Sequence, residues 1–155
     1  MTSILGHYEA TLDQKGRFLL PAGFKKQLPE EDTAKYVINV GLDHCLNLFT
    51  LKVWQPFYEK INALDELDEN ERPVKRFFLS SPSYVEPDSA GRLLIPAHLK
   101  TYAGLERDMV LHWAGDKLEI WDSNKYKEFF DSFSQKTMSS MVHKVFGKKN
   151  SSPLD

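Results

Sequence analysis

One cysteine, Cys45, stands in 155 residues, so neither an internal disulfide nor a four-cysteine zinc site is available. Cys45 sits in an apolar-alternating run and reads as a buried, inert thiol. The five histidines (His7, His44, His98, His112, His143) show no metal-ligand spacing between any two, and no metal or cofactor is expected. No apolar run approaches the ~18 residues of a membrane span, and no apolar h-region follows Met1, so a cytoplasmic protein without a membrane partner is expected. Nucleophile-and-base contexts are missing, and Asp13-Gln14-Lys15-Gly16-Arg17 lacks the second glycine and the Lys-Ser/Thr pair of a phosphate-cradling loop. The chain does not read as an enzyme. Excess positive charge is absent too: 20 Lys and Arg against 22 Asp and Glu give −2, which excludes a generally basic nucleic-acid coat. What remains is an ordinary globular composition, 41% hydrophobic and 27% charged, long enough for one core or two small halves sharing one.

The informative feature is an internal repeat. Residues 12–25, LDQKGRFLLPAGFK, match residues 87–100, PDSAGRLLIPAHLK, with seven identities at an offset of 75. Asp13, Gly16, Arg17, Leu19, Pro21, Ala22 and Lys25 answer to Asp88, Gly91, Arg92, Leu94, Pro96, Ala97 and Lys100. Downstream, VINVGLDHCLNLFT (37–50) resembles VLHWAGDKLEIWD (110–122), and VWQPFYEKI (53–61) resembles KYKEFFDSF (125–133). The chain is an internal duplication.

Each copy reads as strand, turn, strand, short helix, hairpin and terminal helix. His7–Asp13 alternates as a strand, residues 13–16 make a tight turn, and Arg17–Leu20 form a second strand closed by Pro21. Pro21 and Pro96 lead into predicted helices over Ala22–Leu28 and Ala97–Tyr102. Strands are predicted at Tyr36–Val40, Leu46–Phe49, Val110–Trp113 and Leu118–Trp121, joined by turns at residues 41–44 and 114–117. Thr50, and Asp122 or Ser123, suit N-caps of the terminal helices. Those helices carry aromatic stripes, Trp54/Phe57/Tyr58 and Tyr126/Phe129/Phe130/Phe133, that suit a core or a subunit interface. Between the copies an acidic run, residues 65–71, fits a solvated loop and helix N-terminus and passes into basic residues 72–78. The polar tail from Gly147 to Asp155 is expected to be disordered.

In the repeated Asp-x-x-Gly-Arg element, glycine supplies a positive-φ turn and aspartate accepts backbone N–H bonds. Neither requirement explains the arginine. Arg17 and Arg92 begin a strand just past an exposed turn, where a guanidinium can clamp a phosphate or a guanine edge. The competing reading is that each arginine pairs with the aspartate four residues back and only holds the turn; one side chain can do both. Charge is also polarised. Residues 13–28 carry Lys15, Arg17, Lys25 and Lys26 against Asp13 alone, and residues 72–78 carry Arg72, Lys75 and Arg76 with no acid.

With these residues in view, the chain resembles the MraZ family of bacterial transcriptional regulators. The resemblance rests on Gly6-His7-Tyr8, on Leu12 to Arg17 with Pro21-Ala22, on Asp88 to Arg92 with Ile95-Pro96-Ala97, and on Arg76-Phe77-Phe78, over about residues 4–146. It implies an α+β fold: two tandem AbrB-like swapped-hairpin repeats, a small double-psi-like β-barrel with flanking helices and a pseudo-two-fold within one chain. The repeats would span 4–64 and 82–133, with an acidic/basic linker and helix at 65–81 and a C-terminal helix and tail at 134–155. It implies a ring-shaped homo-oligomer, associated with the nucleoid, that binds double-stranded DNA at repeated boxes upstream of its own operon in the division and cell-wall gene cluster, as a repressor. Lys15, Arg17, Lys25, Lys26 and Arg92 are the expected DNA contacts, with Asp13, Gly16, Asp88 and Gly91 shaping the turns. The second copy has Ala90 where the first has Lys15, so the halves are expected to bind unequally. The rival reading is an AbrB-like interaction module that oligomerises without touching DNA.

Overall fold

The computed structural model describes residues 4–150, with side chains described through Gly147. The elements follow the repeat. The first copy holds β1 (His7–Thr11), β2 (Arg17–Leu19), α1 (Ala22–Lys25), β3 (Tyr36–Val40), β4 (Leu46–Thr50), α2 (Leu51–Asn62) and α3 (Glu71–Leu79). The second holds β5 (Ser83–Val85), β6 (Arg92–Leu94), α4 (Ala97–Ala103), β7 (Asp108–Ala114), β8 (Lys117–Asp122), α5 (Ser123–Asp131) and α6 (Gln135–Asn150). The chain divides into two compact units, one running to Ser123 and one from Asn124 onward.

In the first unit the copies exchange strands. The larger sheet runs β1-β7-β8-β4-β3-β5 and a ribbon pairs β2 with β6. Exchanging the copies (β1 for β5, β3 for β7, β4 for β8) returns the same order read from the other end. The registers obey the exchange as well. Leu46 faces Ile120, Leu48 faces Leu118, and Asn47 faces Glu119 at the centre. In the ribbon Arg17 faces Leu94, Leu19 faces Arg92, and Phe18 faces Leu93. All these pairs are antiparallel, and neither copy completes the sheet alone.

Burial explains why the exchange holds. Phe18 and Leu20 of one copy and Leu93 and Ile95 of the other turn inward onto Ile38, Leu46, Leu48, Met109, Leu111, Leu118 and Ile120. Strands β3 and β4 are buried throughout, because Val37 and Phe49 on their second face pack with Trp54 of α2 and partly buried Phe57 and Leu79. Cys45 is buried, donates to the Leu42 carbonyl at 3.2 Å, and burial pushes its thiol up to about 12. Among the described residues no helix is long and apolar enough to cross a membrane, and no three His, Cys, Asp or Glu gather to hold a metal.

Several predicted boundaries move. The helix after Pro21 ends at Lys25 rather than Leu28. Gln27 is drawn away, its Nε2 donating to the carbonyls of Leu5 and Gly23 and its Oε1 accepting from the Leu5 N–H. Its counterpart α4 runs one residue past Tyr102 and closes on Gly104 at φ 61, a left-handed stop that glycine takes without strain. Helix α2 begins at Leu51, directly after the predicted cap Thr50, whose Oγ1 accepts from the Val53 N–H at 3.4 Å. Ahead of α3, whose N-cap is Asn70, Asp68 accepts from the N–H groups of Glu71 and Asn70, which hold its carboxyl below the ordinary aspartate value. The tail expected to be disordered from Gly147 is helical through Asn150. Apolar residues at 138, 141, 142, 145 and 146 keep the helical period, and Lys148 and Lys149 suit a helix C-terminus. Residues 151–155 of that tail lie outside the described residues.

Candidate nucleic-acid interface

The two Asp-x-x-Gly-Arg turns have the same geometry. Asp13 Oδ1 accepts from the N–H groups of Lys15 and Arg17, both at 2.9 Å, while Oδ2 accepts from Arg17 Nε at 2.8 Å. Asp88 repeats this with the N–H groups of Ala90 (2.9 Å) and Arg92 (2.8 Å) and with Arg92 Nε at 3.0 Å. Gly16 and Gly91 sit at φ 86 and 83, where a side chain would be strained. Each arginine therefore pairs with the aspartate four residues back, as the competing reading expects. Nε is committed to the turn aspartate, and among the described residues the terminal guanidinium nitrogens of Arg17 and Arg92 make no hydrogen bond.

The carboxylates register this arrangement. The Arg17 backbone N–H first, then its guanidinium and the Lys15 N–H, hold the Asp13 carboxyl below the 3.8 of an unperturbed aspartate. The Arg92 and Ala90 N–H groups and the Arg92 guanidinium do the same for Asp88. A carboxyl whose folded value is lowered contributes stability above its unfolded value and loses it as pH falls through the folded one. The turns should therefore stay closed down to pH 3.8 and loosen only below it. In a carboxyl-carbon NMR titration both aspartates are expected to show midpoints under 3.8; a midpoint at or above that value contradicts the geometry.

The ribbon displays these groups. Phe18 and Leu93 are buried, whereas Arg17, Leu19, Arg92 and Leu94 lie on the opposite face by the period of two. Leu19 and Leu94 are 56% and 53% exposed. Opposite each arginine stands the other copy's leucine, so the outer face is a small palindrome of Arg-x-Leu on two antiparallel strands. The fold thus joins Arg17 and Arg92 on one surface, with Lys15 exposed on the adjoining turn.

The other expected contacts sit elsewhere. Lys25 closes α1 and Lys26 follows it; both line a separate depression with Ala22, Leu28, Glu30 and Thr33. Lys100, the repeat counterpart of Lys25, lines a depression beside Asp13 and Gln14 together with Arg107, whose carbonyl accepts from the Leu12 N–H at 2.7 Å. Reading the sequence does not find Lys100 or Arg107, since strand exchange alone carries second-copy residues to the first-copy turn. In the basic segment 72–78, Lys75 Nζ lies 3.0 Å from Glu66 Oε1 and Arg72 donates to the Glu66 carbonyl at 3.2 Å, while Arg72 and Arg76 are exposed.

The MraZ protein family model matches the chain twice, at residues 4–77 and 78–147. A protein named transcriptional regulator MraZ from Caldanaerobacter subterraneus subsp. tengcongensis is 36% identical over 129 residues, covering 83% of this chain and 87% of its own. Its namesake from Carboxydothermus hydrogenoformans is 37% identical over 125 residues (81% and 85%), and that of Cytophaga hutchinsonii 38% over 124 (80% and 82%). With two family matches that together span residues 4–147 and relatives at this identity and coverage, the chain belongs to the MraZ family of transcriptional regulators, not of enzymes.

Proposed function

We propose that this chain binds double-stranded DNA through the outer face of the β2–β6 ribbon. The observation that carries this is the pair of guanidinium groups, Arg17 and Arg92, each fixed at Nε and open at its terminal nitrogens. A two-stranded ribbon fits the major groove, about 12 Å wide, where an arginine fork reads guanine and apolar groups meet thymine methyls. Lys15 adds a phosphate contact on the first turn, and Ala90 leaves the second without one. The strand exchange suits a swapped-hairpin small barrel, in which the two turns form one pseudo-symmetric reading head.

A single ribbon offers few cations, and binding by one chain is weak. The protein assembles into a ring that presents several ribbons to the repeated boxes upstream of its own operon in the division and cell-wall cluster. Each added contact then forms at high effective concentration. Occupancy of the promoter represses transcription, in the cytoplasm and on the nucleoid. The test is binding to a duplex carrying the protein's own upstream repeats. Affinity should fall steeply between 50 and 200 mM salt, with a log–log slope of about −0.9 per phosphate neutralised. Binding that is indifferent to salt would favour the interaction-module reading instead.

A further inference from the structure

Strand exchange seats part of the second copy beside the first turn. Helix α4 stops at Gly104, and buried Leu105 turns the chain back, its N–H donating to the Lys100 carbonyl at 3.1 Å. Glu106 and Arg107 follow as exposed residues. The Arg107 carbonyl accepts the Leu12 N–H, which pins this segment to the residue just before the Asp13 turn. Between the two parts lies a depression of about 460 Å³, bordered by Asp13, Gln14, Lys100, Glu106 and Arg107. The Asp13 carboxylate is committed to its own turn, and among the described residues no ion pair takes Lys100 or Arg107. Two open cations against the one remaining acid, Glu106, make the depression a seat for an anion.

The second turn lacks this seat. By the strand registers Ala34 answers to Arg107, so the guanidinium has no counterpart. Pro87 answers to Leu12 and has no N–H with which to hold the facing segment. Lys25, the counterpart of Lys100, borders a depression with Lys26 and Glu30 that includes no residue of the Asp88 turn. The next residue of each copy lies elsewhere. Asp108 borders a separate depression with Glu9, and Lys35 Nζ lies 4.4 Å from the centre of the Tyr84 ring. With Lys15 in place of Ala90, three cations attend the first turn beyond its motif arginine: Lys15, Lys100 and Arg107.

We infer that Lys100 and Arg107 clamp a phosphate of the DNA backbone beside the first turn, once per chain. The inference rests on the duplex binding proposed above and adds a direction to it. Lys100 and Arg107 stand beside the turn rather than on the outer face of the ribbon, so they meet backbone and not base edges. Contacts of this kind carry no sequence information but fix register and orientation. Each chain therefore lies on its box one way round, with the Asp13 turn at the tightly held flank and the Asp88 turn at the other.

The test is titration of the full chain against the upstream duplex and a scrambled duplex over a range of salt. Arg107→Ala keeps the backbone carbonyl that holds Leu12. It should weaken binding to both duplexes by the same factor and lower the log–log salt slope by about one. Lys100→Ala/Arg107→Ala should lower the slope by about two, whereas Arg17→Ala weakens the boxes more than the scrambled duplex. Direction is read by cleavage. Cys45 is buried, so a thiol introduced by Gln14→Cys or Ser89→Cys, both at exposed positions, takes an iron–EDTA tether alone. On a duplex with one box, the Gln14→Cys tether should cut at one flank and the Ser89→Cys tether at the other. A wild type that binds neither duplex overturns the DNA reading itself. Binding that Arg17→Ala weakens, but whose affinity and slope Lys100→Ala/Arg107→Ala leaves unaltered, overturns the clamp and leaves the ribbon standing. Equal cutting at both flanks from each tether overturns the fixed direction.

Discussion

Arg17→Ala is expected to weaken binding to the upstream duplex by about 1–3 kcal/mol, roughly 5- to 150-fold, and to reduce the salt slope by about one. The size follows from how the side chain is held. Asp13 takes Nε at 2.8 Å, so the fork is oriented before DNA arrives and little rotamer freedom remains to be lost on binding. The ion pair is a surface one, with side-chain exposures of 27% and 35%, so the folded state should barely register its loss. Affinity should fall while the thermal midpoint stays. Arg17→Lys keeps the charge but loses the fork, and should recover the salt slope without recovering the preference for the boxes. Equal affinity for wild type and Arg17→Ala at matched salt would remove Arg17 from the interface.

The largest stability effect should come from the other face of the same strand. Phe18→Ala is expected to cost about 3–5 kcal/mol in urea unfolding. Phe18 is 2% exposed and faces Leu93 across the ribbon, where the two copies meet, and the exchanged strands close over it. Leu19→Ala, one residue on, removes a similar side chain from the 56% exposed face and should change stability by less than about 0.5 kcal/mol. The contrast between neighbours tests the placement of the ribbon. Similar losses for both would mean that Leu19 is covered and the reading face lies elsewhere.

The repeat made much of this legible. Asp13, Gly16 and Arg17 announce a turn with a projecting guanidinium, and the turn is built as the residue chemistry requires, with aspartate as acceptor and glycine at positive φ. In β2 the strand's period of two turns Phe18 inward and leaves Arg17 and Leu19 on the other face. What alternation leaves open is the partner of a strand. A period of two says which face is buried but not which strand lies alongside, and β1 pairs with β7 about a hundred residues away. For that reason Lys100 and Arg107 beside the first turn escaped the sequence reading. Charge counts along the chain also leave out the ion pair that Glu66 of the acidic run makes with Lys75. The polar composition after Gly147 predicts a disordered tail, whereas α6 continues through the following lysines to Asn150.

On the proposed function, Arg17 and Arg92 on one ribbon read the DNA sequence. Its most direct test is the affinity ratio between the upstream boxes and a scrambled duplex of equal length, measured at one salt concentration for wild type and for Arg17→Ala/Arg92→Ala. The ratio should be well above one for wild type and collapse towards one in the double variant, with its fold and solution mass unchanged. A double variant that keeps the wild-type ratio would contradict the account.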